Sequence, residues 1–201
     1  MNPLNLFWLF AAPAHGWSRL VHTKPSIPQL YLLHVIPFSL IPPLMLYLAG
    51  GKYGGQFFPM MASSKLLLIA VIFFLVEMAA VPIMGVLIRQ LGELGEVHPS
   101  FREAFILAAV APTPLWLAPI FLLVPSVLVN LAVVTLALMA AAGLIYYGIP
   151  VVFRMKERGH AILVFGAVLI AGTVAMGFLM VSTLVVWSSV QNLQYAMPLL
   201  S

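Results

Sequence analysis

Three polar side chains that could do chemistry stand inside otherwise apolar runs of this chain: Glu77, His34 and Thr113. Glu77 sits at the middle of the run from Leu66 to Ile88, and every other residue between Lys65 and Arg89 is apolar. At 1.5 Å per helical residue that run spans about 34 Å, enough to cross a hydrocarbon core. A charged carboxylate at the midplane costs at least about 3 kcal/mol, so it needs a reason to be there. Three readings are open. The carboxyl is protonated and clasps a carbonyl of a neighbouring helix, or it lines a polar pathway and exchanges a proton or cation, or it is a packing or oligomer contact. His34 reads either as a hydrogen-bond partner of a neighbouring helix or as a proton carrier or ligand.

The groups Glu77 would meet are set by prolines. Proline lacks the N–H that an α-helix aims at the carbonyl four residues back. Pro37, Pro42 and Pro43 therefore deprive the carbonyls of Leu33, Phe38 and Ser39. Pro112, Pro114 and Pro119 do the same to Ala108, Val110 and Leu115, which makes the stretch around Thr113 the most strongly broken backbone in the chain. In lipid those carbonyls must find protein or water, so the helices carrying Pro37, Pro42, Pro112 and Pro114 are expected to kink and pack inward.

No enzyme motif is present. There is no H-E-x-x-H, no G-x-S-x-G and no phosphate-binding glycine loop. Aspartate and cysteine are absent, which removes an aspartate dyad, disulfides and thiolate metal sites. His15, His22, His98 and His160 fall in the segments between apolar runs without ligand spacing. No cofactor, metal or nucleic-acid partner is expected.

The elements that must position these residues follow from composition. With 63% hydrophobic and 7% charged residues, the chain lacks the polar surface of a soluble domain and must be solvated by lipid. Residues 1–28 read as an interfacial lead-in. Leu4, Phe7, Trp8 and Phe10 are bulky, Pro13 is expected to stop any helix, and Trp17, Arg19, Leu20 and Lys24 suit the headgroup layer. Five spans follow, at about 29–49, 66–88, 102–124, 127–149 and 161–187, forming one all-α transmembrane bundle over 29–187. Gly50 to Lys65 reads as a loop, Ser100 with Glu103 as a capping box, and Ser126 as a cap on the fourth span. Tyr146-Tyr147-Gly148-Ile149-Pro150 reads as the fourth span's stop, and Ala167, Ala171 and Ala175 form a small-residue ladder on the fifth. The tail, 188–201, is uncharged.

Five spans put the termini on opposite sides. The N-terminal side carries Arg19, Lys24, Arg89, Arg102, Arg154, Lys156 and Arg158, while the other has only Lys52 and Lys65. The positive-inside rule then places the N-terminus in the cytoplasm and the C-terminus outside.

Ala12-Pro13 and Trp17, the stretch Ala109-Val110-Ala111-Pro112-Thr113-Pro114, and Tyr146-Tyr147-Gly148-Ile149-Pro150 followed by Glu157 occur in an order and spacing that resembles the Yip1 family, in its bacterial inner-membrane branch. The resemblance covers most of the chain and implies a five-span fold in the inner (plasma) membrane. Eukaryotic members are associated with Golgi and endoplasmic-reticulum trafficking and with Rab GTPases. Their long cytosolic N-terminal region and its Asp-Leu-x-Gly-Pro segment have no counterpart here, so a GTPase partner is not implied. The preferred reading is a non-enzymatic membrane-organising or adaptor protein acting through helix packing, with the lipid bilayer and a second copy or another membrane protein as partners. The alternative is a transporter, channel or lipid-moving protein using a polar site around Glu77.

Overall fold

The computed structural model describes residues 8, 9, 11–57 and 63–196. Leu4, Phe7 and Phe10, part of the expected loop at 58–62, and the end of the tail at 197–201 lie outside the described residues. Among the described residues the fold is helical without strands. Five helical stretches are long and apolar enough to cross a membrane: Ile27–Tyr53, Ser63–Gly95, Phe101–Leu123, Val127–Val152 and Arg158–Ser189. The expected polytopic α-helical bundle is the fold of this chain.

The lead-in forms helix α1, Pro13–Thr23, which Lys24 ends in a left-handed turn at φ 42°. Pro13 starts this helix instead of stopping it, because at the first helical position a missing N–H leaves no bond unmade. Gly16, Trp17 and Leu20 share its buried face, and Trp17 and Leu20 are wholly enclosed, so they belong to the core and not to a headgroup layer. The Arg102 guanidinium holds the chain as it leaves α1, donating to the carbonyls of Lys24 and Pro25.

The first span is assembled from pieces. Helix α2, Ile27–Leu30, is capped by the Ser26 hydroxyl, which accepts from the Gln29 N–H. A π-turn follows at Tyr31–Val35, closed by the Ile36 N–H reaching back five residues to the Tyr31 carbonyl. Helices α3, Ile36–Ser39, and α4, Ile41–Phe57, complete it. The α4 helix runs through Gly50 and Gly51, where a loop is expected from the glycines. Gly50 serves packing here: a Cβ at this position would lie 3.2 Å from Leu66 Cδ2 on the next span.

Helix α5, Ser63–Leu91, is the second span and passes through Pro82. Its buried face is Leu66, Ile69, Ala70, Glu77, Val81, Gly85 and Ile88. A 3-10 turn at Gly92–Gly95 leads to helix α6, Phe101–Val110, whose start carries the expected capping box: Glu103 N–H donates to Ser100 Oγ, and Ser100 N–H to Glu103 Oε2. Residues Ala104 to Val110 are all buried, so α6 is the centre of the bundle. The chain breaks at Ala111-Pro112, resumes as α7, Thr113–Leu117, and finishes the third span as a 3-10 stretch, Ala118–Leu123.

Helix α8, Val127–Val152, is capped by Ser126, and α9, Arg158–Ala196, forms the fifth span. Pro150 does not stop α8. It deprives only the Tyr146 carbonyl, and the end is closed by the Phe153 N–H on the Ile149 carbonyl at 3.0 Å. Arg154 then faces Glu103 at 3.6 Å, an exposed pair worth about 0–1 kcal/mol.

Trp17 and Gly148 fix α1 to the bundle. A Cβ on Gly148 would come within 2.7 Å of Leu107 Cδ1 and 2.8 Å of Trp17 Cε2, and the indole has no free space into which to retreat. Gly143, one turn earlier, has open space around it. Gly148→Ala is therefore expected to lower stability by about 1–3 kcal/mol through overpacking. Gly143→Ala should be neutral or stabilising through helix propensity. Denaturation midpoints of the two variants in one detergent check this, and equal midpoints would refute the role given to Gly148.

Candidate functional site

The three polar residues singled out in the sequence lie in one buried cluster around Trp116. His34 is fully buried in the π-turn of the first span, Glu77 is buried on α5, and Thr113 is buried at the start of α7. The local backbone explains each placement. The π-turn ends at Val35, two residues before Pro37, a position where a widened turn accommodates the lost helical bond and re-aims its side chains. Thr113 stands between two prolines at the break in the third span.

Thr113 supplies what Pro114 removes. Its hydroxyl donates to the Val110 carbonyl at 2.6 Å, the group left without a helical donor by that proline. His34 Nε2 lies 3.0 Å from Thr113 Oγ1. Since the hydroxyl proton is already directed at Val110, the imidazole donates and Thr113 accepts, which assigns the proton to Nε2. The other ring nitrogen, Nδ1, is buried without a hydrogen-bond partner. The His34 ring packs on Phe38 at 4.6 Å between centroids and meets Trp116 edge-on at 6.1 Å.

Glu77 takes a different partner from the proline-freed carbonyl expected of a clasp. The Trp116 indole lies beside its carboxyl group, while Oε2 is buried with no hydrogen-bond partner. The carbonyl clasp on this helix is made one residue later. Pro82 deprives the Met78 carbonyl, and the Tyr31 hydroxyl donates to it at 2.7 Å. Ser39, also buried, directs its hydroxyl toward the Ile36 carbonyl at 3.4 Å and the Met78 sulfur at 3.6 Å.

The result is a closed triangle of polar contacts, two of them hydrogen bonds. Tyr31 to Met78 joins spans one and two, His34 to Thr113 joins one and three, and Trp116 to Glu77 joins two and three. Of the expected break positions, Pro37 adjoins the π-turn, Pro42 opens α4 within a buried stretch, and Pro112 and Pro114 flank Thr113. Trp116 and Tyr31 are the members of this cluster that sequence reasoning left without a role. Trp116 is three residues after Thr113, on the same helical face, and a buried indole N–H usually finds an acceptor. Tyr31 had a signal in Pro82, which frees a carbonyl as surely as the other prolines do.

The cluster holds hydrogen-bonding groups inside apolar spans and, among the described residues, no set of side chains fit to bind a metal. Chemically it can fix the register of broken helices, and its carboxyl and imidazole are groups able to carry a proton.

Comparison with known proteins fits the five-span frame. A family model described as the Yip1 domain matches residues 8–179. The chain belongs to the Yip1 domain family. It is similar to the inner membrane protein YohC of Escherichia coli strain K12, with 26% identity over 188 residues that cover 91% of this chain and 95% of the relative. The YohC protein of strain CFT073 matches to the same extent. No solved structure matches significantly. As a Yip1-domain protein with five apolar helices, the chain is an integral, multi-pass membrane protein.

Two substitutions separate the strengths within the triangle. Single interhelical side-chain bonds in membranes average roughly 0.6 kcal/mol. Tyr31→Phe breaks one such bond and leaves one group, the Met78 carbonyl, unpaired, at an expected cost of about 1 kcal/mol. Thr113→Val leaves both the Val110 carbonyl and the His34 N–H unpaired, so its expected cost is about 1–3 kcal/mol, with Thr113→Ser close to wild type. Reversible unfolding in mixed micelles would measure all three, and a Thr113→Val variant as stable as Tyr31→Phe contradicts the shared bond.

Proposed function

We propose that this Yip1-domain protein is a non-enzymatic organising or adaptor element of the inner membrane, acting through helix packing. The observation that carries this reading is the triangle itself. The polar groups of the first three spans bond to one another and to proline-freed carbonyls, so they build a scaffold within the protein. The outer helices are left facing lipid. The apolar window of the third span is 56% buried, whereas those of the fourth and fifth are 17% and 11% buried. Along α9, Ile170, Val174, Phe178 and Val181 are exposed beside half-buried Ala167, Ala171 and Ala175. Small residues at that spacing let another transmembrane helix approach closely, which suits a second copy or another membrane protein.

In-cell photo-crosslinking from Val174 and Phe178 tests this. A discrete membrane-protein adduct, reduced by Ala171→Leu, is the expected outcome. Strictly monomeric protein with no adduct from either position would defeat the proposal. The N-terminus is taken to be cytoplasmic, supported by seven of nine cations at its end of the bundle. A C-terminal alkaline phosphatase fusion should then be active, and an inactive fusion of normal abundance would reverse the orientation.

A second reading has its own support: Glu77 Oε2 and His34 Nδ1 are buried without hydrogen-bond partners, as proton-accepting atoms on a pathway would be. On this reading the protein moves a proton, an ion or a lipid, and Glu77→Gln abolishes that flux in liposomes. A flux unchanged by Glu77→Gln would remove it.

A further inference from the structure

At the basic end of the bundle, where α8 meets α9, a recess of about 240 Å³ opens beneath the 153–157 turn. Lys156 and Arg158 stand on its rim with Tyr146 and Tyr147, and Pro150 and Ile162 belong to its apolar wall. Both cations are exposed, and among the described residues neither has a carboxylate within ion-pair distance. The carboxylates nearby are otherwise engaged: Glu103 faces Arg154 at 3.6 Å, and Glu157, the acid on the recess itself, faces His160 Nδ1 at 3.3 Å. Tyr146 is propped edge-on against Phe165 and Tyr147, at 5.4 and 5.3 Å between centroids, which holds both rings at the mouth.

This arrangement joins two chemistries. Unpaired Lys and Arg with phenol hydroxyls bind a phosphate oxyanion, and an apolar wall running onto lipid-facing helices suits acyl chains. Ile162 and Leu163 continue that apolar surface onto the exposed side of α9. Tyrosine rings at the end of a span mark the depth of headgroups. The geometry points to a binding site for the phosphate headgroup of an acidic phospholipid in the recess between α8 and α9, held by Lys156, Arg158, Tyr146 and Tyr147. The site is separate from the buried cluster and does not depend on the function proposed for it. A free phosphate ion shares the headgroup chemistry, but it gains nothing from the apolar wall.

The test uses the full chain in nanodiscs and native mass spectrometry of retained lipid. Nanodiscs of phosphatidylglycerol mixed with phosphatidylcholine should yield protein that keeps the acidic lipid preferentially. Each of Lys156→Ala and Arg158→Ala should lower retention about fivefold, the effect expected of one basic residue near an anionic surface. Lys52→Ala, at the opposite end, should leave it unchanged. Glu157→Gln removes the one carboxylate on the recess and should raise retention, which keeps the proposal testable should the alanine variants fold poorly. Equal retention of the two lipids by wild type would overturn the site, as would alanine variants that match wild type. Complete displacement of the lipid by millimolar inorganic phosphate would overturn the lipid assignment by reducing the site to a phosphate site.

Discussion

Hydrogen-bond demand of the backbone in lipid is the constraint on which this structure depends. A helix in water can expose a carbonyl orphaned by proline to solvent, but in a hydrocarbon core that carbonyl must be met by protein. This chain carries 16 prolines, several of them within spans. Two of the carbonyls they orphan at membrane depth, Met78 and Val110, are met by the hydroxyls of Tyr31 and Thr113. Those hydroxyls come from elements that exist in their observed form because of other prolines: the π-turn beside Pro37 and the broken segment between Pro112 and Pro114.

The same demand ranks the spans. The third is the most broken, so it needs the most partners, and it is the most buried. Residues Ala104 to Val110 pack in the centre, with α1 brought in over Gly148 and Leu107 to close one end. The fifth has no proline between Arg158 and Ala196, so each interior carbonyl keeps its own helical donor. Its Thr173 and Thr183 hydroxyls bond carbonyls of their own helix, which leaves α9 free to face lipid along most of its length.

Features that depend on neighbours in sequence were legible before the structure. The five apolar stretches, the Ser100–Glu103 capping box and the Ser126 cap are local patterns, and each has a local mechanism. The identity of three of the four buried polar side chains, Glu77, His34 and Thr113, was legible for the same reason, since a lone polar residue in an apolar run is conspicuous. Their pairing was not. Tyr31 and Met78 are 47 residues apart and His34 and Thr113 are 79 apart, and nothing local encodes which helix faces which. Trp17 illustrates the other failure. An amphipathic aromatic near a terminus suits the headgroup layer, yet here it is fully enclosed, packed against Gly148 on a helix over a hundred residues away, where a side chain would strike the indole. Pro13 and Pro150 were misleading because proline breaks a helix interior but is tolerated in the first turn and near the end.

The triangle also explains why polar groups are worth keeping in a core that apolar residues would fill more cheaply. Apolar contacts are non-directional, so a helix interrupted at Pro37 or Pro112 can rotate or slide against its neighbours with small loss. A hydrogen bond is directional, and leaving a buried donor unmet costs about 1–3 kcal/mol, so each edge of the triangle penalises one such slip. Two hydrogen bonds and the Trp116–Glu77 contact between three spans bear on all pairwise registers with no redundant link. The two atoms left over, Glu77 Oε2 and His34 Nδ1, follow from valence. A carboxyl beside one indole and an imidazole donating one N–H each retain a second polar atom. Replacing Glu77 or His34 by a residue with a single polar atom would remove that surplus and keep the register, and this is the physical difference between a cluster that only holds helices and one that also carries a proton.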